Sequence, residues 1–538
     1  MISVLMPVYA QAAFLPRALA SLHAQDHTDW ELVVIDDGSP EPVDVDGARL
    51  IRHVENRGLG AALNTGLDAA QGDVIAYLPA DDVFHAHHLS TLLALLDRAA
   101  LARTGEGPLQ LVQVAHRRTG HRWVERAELE SDDLERLFFA RLQPRASDPA
   151  PTSTWTEHPG QRHRVLRPSQ DGGLNTFRRR YRARGPLHLE AEGRLVADER
   201  RRYAPFAHHE PAPPKLRVLL AGELGYNPER ILALETRGCD LSGLWIDDPL
   251  GFMAVGPLAF GNVTDVDDWR DAKPDVIYAL LNWRAVPLAH RLLDNGVPLV
   301  FHFKEAPQRC LARGDWPLLV DVLARADTVI LASPEERDWL LASLPQLDPA
   351  RFHAMDGDLP KREWLDATPS TPTGDGLDTV LLGRPYGFDA ALYEALAARG
   401  IRVHHEQTLQ PHEWVSALSR YDAGWLHPVA PRNGGDPHAA AWDDLNLPAR
   451  LPTLVAAGLP LIAPRGGQHE ISAVGRLATE LGCGVLYEDL DDLAAQLRDT
   501  TAMQGRGAAA WGARETQTFD HHADQLVRWL QAAAGRTP

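Results

Sequence analysis

Short apolar runs of four or five residues alternate with amphipathic segments of helical period along most of the chain, and this alternation limits the fold more than any other feature. It is the pattern of parallel sheets with crossover helices. Ile2 to Met6, Leu32 to Ile35 and Val74 to Leu78 read as strands, and the helices between them carry Leu15, Leu19 and Leu22, then Leu59, Leu63 and Leu67, on one face. A second group of strands is Arg217 to Leu220, Val276 to Leu280, Leu299 to Phe303 and Thr328 to Leu331. A third is Thr379 to Leu382, Ala423 to Leu426 and Leu459 to Ala463. Proline-rich breaks at Glu210 to Pro214 and Thr368 to Gly374 separate the groups. Because 538 residues exceed what one core organises, three α/β domains are expected, at residues 1–210, 215–370 and 371–538.

A net charge of -19 argues against nucleic acid as a partner, since phosphate neutralisation needs a surplus of basic side chains. Arginine is nevertheless concentrated in the 162–202 segment, including Arg178, Arg179, Arg180, Arg182, Arg184, Arg200, Arg201 and Arg202. This reads either as a solvated helical face or as a patch for lipid phosphates or an anionic acceptor. No apolar run reaches the length of a membrane span, and Met1 leads directly into a strand pattern, so a cytoplasmic protein with peripheral membrane contact through the 162–202 segment is expected. Cys239, Cys310 and Cys483 are far apart and odd in number, which reads as three buried thiols.

In an open parallel sheet, ligands collect beyond the carboxyl ends of the strands. In the first domain those positions hold Pro7-Val8-Tyr9, Asp36-Asp37-Gly38-Ser39 and Asp81-Asp82. Two acidic pairs would repel an anionic ligand, and a divalent cation resolves the conflict: Asp81 and Asp82 offer hard oxygens to magnesium or manganese, whose remaining positions take diphosphate oxygens. The bland alternative is a helix N-cap, because Val83 to Leu95 also reads as helical. His85, His87 and His88 have no familiar zinc spacing and read as solvated. No glycine-rich loop follows the first strand and no Gly-Lys-Ser/Thr triplet occurs, so a dinucleotide fingerprint and a P-loop are both unsupported.

VLMPVYAQAAFLPRALASLHAQ, WELVVIDDGSPEP and NRGLGAALNTGLDAAQGDVIAYLPADD, in that order, resemble the inverting family 2 glycosyltransferases of GT-A fold. The resemblance implies transfer of a hexosyl group from a nucleoside-diphosphate sugar to a glycan or lipid-linked glycan acceptor, as in polysaccharide biosynthesis. By the same resemblance Pro7, Val8 and Tyr9 line the nucleotide site, Asp37 with Asp36 binds the base, and Asn56, Gly58 and Asn64 lie beside the donor. Asp81 and Asp82 match the metal motif, with Asp82 as the direct ligand. The acidic motif that supplies the family's base matches Glu130 to Leu137, making Asp132 or Asp133 the candidate, and Trp155 to Arg162 resembles the segment that follows it.

KPDVIYALLNWRAVPLAHRLLDNGVPLVFHFKE, RADTVILASPEERDWL and LPARLPTLVAAGLPLIAPRGGQHE resemble family 4 glycosyltransferases, which implies a GT-B module of two Rossmann-like domains. A pair of donor-binding glutamates in that family corresponds to Leu445 and Thr453 here, whereas Arg384 matches an arginine that faces the diphosphate. Gly222, Gly225, His302, Lys304, Glu305, Asp443, Asp444, Gly466, Gly467 and Glu470 remain as cleft candidates, with Glu470 also placed to cap the adjacent helix. The module is then either a second transferase or a degenerate one that binds glycan. Two further readings are a noncatalytic glycan-binding scaffold and a sugar-1-phosphate nucleotidyltransferase; the latter usually has a basic glycine-rich loop where this chain has Tyr9 to Ala13.

Overall fold

The computed structural model describes residues 1–107, 109–125, 134–157, 188–191, 194–198, 201, 204, 209–222, 232–244, 263–266, 268–281, 286–304, 307–365, 367–370, 377–407 and 409–536. The chain forms two compact units, Met1–Arg200 and Arg201–Pro538.

The strands of the first unit are β1 (Ile2–Val8), β2 (Trp30–Asp36), β3 (Arg49–Arg52), β4 (Val74–Tyr77), β5 (Val83–Phe84), β6 (Leu101–Thr104), β7 (Val114–Arg117), β8 (Arg145–Asp148), β9 (Ser153–Thr154), β10 (His188–Ala191) and β11 (Arg194–Asp198). Seven of them form one sheet in the order β3-β2-β1-β4-β7-β6-β8. It is mixed rather than all parallel, because β7 runs antiparallel to both β4 and β6. Helix α1 (Leu15–His23) buries Leu15 and Leu22 on one face of the sheet, where α3 (His88–Leu96) also packs through Leu89 and Leu92. On the other face α2 (Leu59–Ala69) buries Leu63 and Leu67 against Leu5, Val33 and Ile35. The helix expected from Val83 does not start there. Val83 and Phe84 pair with Thr154 and Ser153 as β5, and the helix begins at His88.

The second unit contains two parallel sheets. The first is built from β12 (Leu216–Gly222), β13 (Cys239–Leu244), β14 (Thr264–Val266), β15 (Val276–Leu281), β16 (Leu299–Phe303), β17 (Thr328–Leu331) and β18 (Phe352–Ala354), in the order β14-β13-β12-β15-β16-β17-β18. The second is built from β19 (Asp378–Leu382), β20 (Arg402–Glu406), β21 (Ala423–Trp425), β22 (Leu461–Pro464) and β23 (Gly484–Tyr487), in the order β20-β19-β21-β22-β23. The three cysteines are buried free thiols. Among the described residues no helix is long and apolar enough to cross a membrane.

After the second sheet the chain returns to the first through the helix Phe519–Ala533, whose Phe519, Ala523, Leu526 and Leu530 pack with Val218, Leu220, Tyr278 and Val300. Its first turn is held by charge. The Lys361 ammonium donates to Asp520 at 2.6 Å and to Glu363, and the other Asp520 oxygen accepts from the Arg362 amide at 2.9 Å. Lys361 and Asp520 are only 5% and 8% exposed, whereas Glu363 is 39% exposed, so Asp520 is the partner that makes burial of the lysine tolerable. Asp520→Ala leaves that charge with the weaker partner; a loss of roughly 2–3 kcal/mol is expected, below the ~3–5 kcal/mol for a fully orphaned buried charge. Urea denaturation of the full chain, followed at the transition of the second unit, checks this.

Candidate active site

In the first sheet the strand order reverses beside β1: the chain moves from β1 to β2 and β3 on one side and to β4 on the other. Such a reversal opens a crevice at the carboxyl ends of the two strands. Pro7 and Val8 end β1 and are buried, while Tyr9, just beyond, is 42% exposed. At the end of the neighbouring strand lie Asp81 and Asp82, 8% and 3% exposed. The structure thus brings these sequence-predicted residues to one crevice.

Asp81 and Asp82 cap no helix, since β5 follows them directly. Gln11 donates its side-chain amide to Asp81 Oδ2 at 3.1 Å, and the Thr156 amide donates to Asp82 Oδ1 at 2.9 Å. One Arg17 nitrogen donates to both the Asp81 carbonyl, at 2.6 Å, and the Thr156 hydroxyl, at 2.7 Å. For Asp82 the Thr156 amide and Arg17 do not offset burial. The Asp82 carboxyl is pushed up to about 8, first by burial and then by the charge of Asp81, with the Thr156 amide and Arg17 pulling the other way.

The other acidic pair has a different environment. Asp36, fully buried at the end of β2, accepts from the amides of Ser39 and Val43 and pairs with Arg52. Burial pushes its carboxyl up, but these partners outweigh burial and hold it below the ordinary value. Asp37 accepts from His53 Nδ1 at 2.7 Å and from the amides of Arg57 and Gly58, each at 2.8 Å. His53 Nε2 in turn meets the Thr65 hydroxyl at 2.9 Å. Burial raises the Asp37 carboxyl, against the lowering by His53 and the two amides. The structure places Asp37 as a clamp on the loop that leads into α2. Gly38 lets the two segments touch: its φ is +71°, and a Cβ there would stand 2.3 Å from the Glu55 carbonyl carbon.

Asn56 is half-buried in that loop and Gly58 is the residue preceding α2. Asn64 is 3% exposed: it donates to the Trp123 carbonyl and Glu125 and accepts from the Trp123 amide, each at 2.9 Å. Of the three histidines read as solvated, His88 is fully buried, with Nδ1 2.6 Å from the Thr152 hydroxyl and its ring against Phe84. Its pKa falls to about 3, chiefly through burial. The correction has a plain cause: His88 opens α3, whose first turn is packed under β5 and Thr152. Asp132 and Asp133 lie outside the described residues, as does most of the 162–202 segment.

Sequence reasoning missed Gln11, Arg17, His53 and Arg52, which hold the four aspartates. Arg17 was legible only as a position on an exposed helix face, and its partners Asp81 and Thr156 are distant in sequence. No group of three or more His, Cys, Asp or Glu side chains forms a metal cluster among the described residues. The chemistry of the Asp81–Asp82 pair still fits a hard divalent cation, because two adjacent buried carboxylates offer hard oxygens and the Asp82 carboxyl is raised by burial and by the charge of Asp81.

In the second unit, His302 is fully buried between the Tyr278 hydroxyl, at 2.8 Å, and the Met355 carbonyl, at 2.9 Å; burial lowers its pKa to about 4. Lys304 pairs with Asp358. Gly222 ends β12 with a φ of +93°. Arg384 follows β19 in an exposed turn, and its carbonyl accepts from Arg450 at 3.0 Å. Asp443 accepts from the Tyr386 hydroxyl at 3.0 Å, and Asp444 is buried and accepts from Asn433 and from the Ala441 amide. Gly466 and Gly467 pack beside Glu470. Glu470 does not cap the helix Ala473–Glu480, whose N-cap is Ser472; it accepts instead from the amides of Asn433 and Gly434. Gly225 and Glu305 lie outside the described residues.

Residues 3–131, within the first unit, match the model of the Glycosyl transferase family 2. Among individual proteins, the chain is 38% identical over 101 residues to an uncharacterised glycosyltransferase of Nostoc sp., covering 17% of this chain and 31% of that protein. It is 34% identical over 153 residues to the PGL/p-HBAD biosynthesis glycosyltransferase of Mycobacterium bovis, covering 26% of this chain and 55% of that one. The chain therefore spans between about a third and about half of the length of these curated relatives. A solved structure of S. aureus TarS 1-349 with UDP-GlcNAc aligns at 17% identity and a TM-score of 0.27, covering 34% of this chain and 65% of that one.

The clamp at Asp37 has a measurable consequence. Asp37→Ala removes three acceptor contacts at once and should lower the stability of the first unit by on the order of 3 kcal/mol. Hydrogen exchange at the Arg57 and Gly58 amides should accelerate at the same time, and unchanged exchange there would show that the loop is held by something else.

Proposed function

We propose that the first unit transfers a hexosyl group from a nucleoside-diphosphate sugar to a glycan or lipid-linked glycan acceptor, with inversion at the anomeric carbon and dependence on a divalent cation. The observation that carries this reading is the buried Asp81–Asp82 pair beside Tyr9 at the strand-order reversal, within a family 2 domain. Asp81 and Asp82 would hold magnesium or manganese, which when bound supplies positive charge to offset that developing on the leaving diphosphate. Tyr9, with Pro7 and Val8, lines the nucleotide side of the crevice. Asp37 supports it by holding the loop of Asn56 and Gly58 in place, and Asp36 by holding the turn of Ser39 and Val43. Arg17, Gln11 and Thr156 fix the orientation of the acidic pair. In the displacement the acceptor oxygen bonds to the anomeric carbon, the bond from that carbon to the diphosphate oxygen breaks, and the acceptor proton passes to Asp132 or Asp133.

For the second unit we propose a GT-B-like module, on the support of its two parallel sheets and a last helix that returns to the first sheet. A glycan-binding role without transfer is favoured by two positions. Leu445 is fully buried and Thr453 is 7% exposed, so neither offers a carboxylate to a sugar hydroxyl. The proposed setting is polysaccharide or glycoconjugate assembly on the cytoplasmic face of a membrane, with the arginine-rich 162–202 segment as the contact.

The test is release of nucleoside diphosphate from a panel of nucleotide sugars, with manganese or with EDTA. Asp82→Ala should lower the manganese-dependent turnover at least about 10²-fold, the scale for removing one electrostatic element of a transferase site. Turnover that persists in Asp82→Ala, or that ignores EDTA in the native chain, would overturn the assignment.

A further inference from the structure

The two sheets of the second unit share a buried contact. Ala440 and Leu445, which lie between β21 and β22 of the second sheet, pack in the core of the first with Trp339, Leu340 and Phe352. The helix Pro334–Ser343, which follows β17, supplies the polar part of this contact from its first turn. Its N-cap, Ser333, is fully buried; the hydroxyl accepts from the Glu336 amide at 3.0 Å and donates to the Leu445 carbonyl at 2.6 Å. Glu335 pairs with Arg476 of the helix Ala473–Glu480. Next to it stands Glu336, also fully buried. A glutamate three residues after a serine N-cap usually returns to the N-cap amide. Here Oε2 accepts instead from the Ala332 amide at 3.0 Å, and Oε1 is buried with no hydrogen-bond partner among the described residues. The charged groups around it are engaged elsewhere. On its own helix Arg337 pairs with Asp338. On the elements packed against that helix, His353 of β18 stacks on Trp529, His438 is exposed, Asp443 accepts from Tyr386, and Asp444 accepts from Asn433 and the Ala441 amide. A fully buried carboxylate with one amide donor and no cation is costly as an anion. Burial accordingly pushes the Glu336 carboxyl up to about 8, against the pull of the Ala332 amide.

We propose that Glu336 is a proton-operated latch between the two sheets of the second unit: protonated, it leaves the first turn of its helix seated against Leu445 and Arg476, and ionised, it draws water to Oε1, loosens that turn and lets the sheets part. The geometry places the group where it can act, beside Glu335 and three residues from Ser333, the two residues that bridge the sheets. A cleft of about 580 Å³ lies at the same contact, lined by Trp339, Leu445, Ile471 and Arg476 among others, so the latch sets its width. The sign follows from proton counting. In the parted form the carboxyl meets water and titrates near its ordinary value of 4.5, so between that value and about 8 the latched form holds one proton more. The latch is strongest below the ordinary value, weakens as pH rises through the interval, and levels off above about 8. It operates whether or not the first unit is a transferase.

The experiment measures the distance between the two halves of the unit in the full chain by electron–electron double resonance. Spin labels go on Leu311→Cys and Glu488→Cys, both exposed, while the three native cysteines are buried. From about pH 5 to about pH 9 a longer-distance population is expected to grow at least about 10-fold relative to the short one, with helical circular dichroism unchanged. Glu336→Gln, which keeps the shape and cannot ionise, should hold the short distance at every pH; Glu336→Leu, equally uncharged, takes its place should the glutamine variant fail to fold. Ser333→Ala, which removes the hydroxyl bridge, should raise the longer-distance population at low pH as well. A distance that ignores pH in the native chain, or the same lengthening in native and uncharged variants, overturns the proposal. Lengthening that coincides with loss of the helical signal is unfolding, and overturns it too.

Discussion

Two adjacent carboxylates buried at the end of one strand are stable as anions only where hydrogen bonds or positive charge reach them, and the first unit is organised by that constraint. It contains two such pairs, and they meet it differently. Asp36 and Asp37 are served by their own chain: Arg52, His53 and four backbone amides reach their oxygens. The contacts of Asp81 and Asp82 include the Thr156 amide and the Gln11 side-chain amide, while Arg17 donates to the Asp81 carbonyl and the Thr156 hydroxyl. The first pair is thus part of the scaffold, whereas in the second the Asp82 carboxyl is pushed up by burial and by the charge of Asp81. That difference, rather than the number of acidic residues, selects which pair a cation would join.

Most strands were legible in the sequence. Leu299–Phe303 and Thr328–Leu331 have the expected bounds, since a strand buried on both faces is a continuous apolar run with polar residues at its ends. What an apolar run does not encode is direction, so the antiparallel β7 at the centre of a parallel expectation was invisible. Val83 and Phe84 read as the start of a helix because their apolar character fits either state, and only the pairing with Ser153 and Thr154 decides between them. The positions of the acidic residues at strand ends could be read; their roles could not. Asp37 and Asn64 act through partners such as His53 and Trp123, separated from them by 16 and 59 residues, and no local pattern records such contacts.

The three large sheets share one device. Each is entered through an inner strand, β1, β12 or β19, and the order reverses beside it. This follows from crossovers that place the second strand on one side and a later strand on the other, and each reversal opens a crevice at the carboxyl edge. What the edge can bind then depends on the few residues that stand there. In the first sheet they are Tyr9, Asp81 and Asp82; in the last they are Arg384 and His427.

The charge at an edge decides what can approach it. An edge lined by carboxylates cannot approach a phosphate without an intervening cation, so binding there is conditional on metal and suits a reaction in which charge on a leaving diphosphate must be offset. At the last edge the charges are mixed: Asp443 stands 3.7 Å from His427 Nδ1 and accepts from the Tyr386 hydroxyl at 3.0 Å, so no single sign prevails there and the constraint on a ligand is weaker.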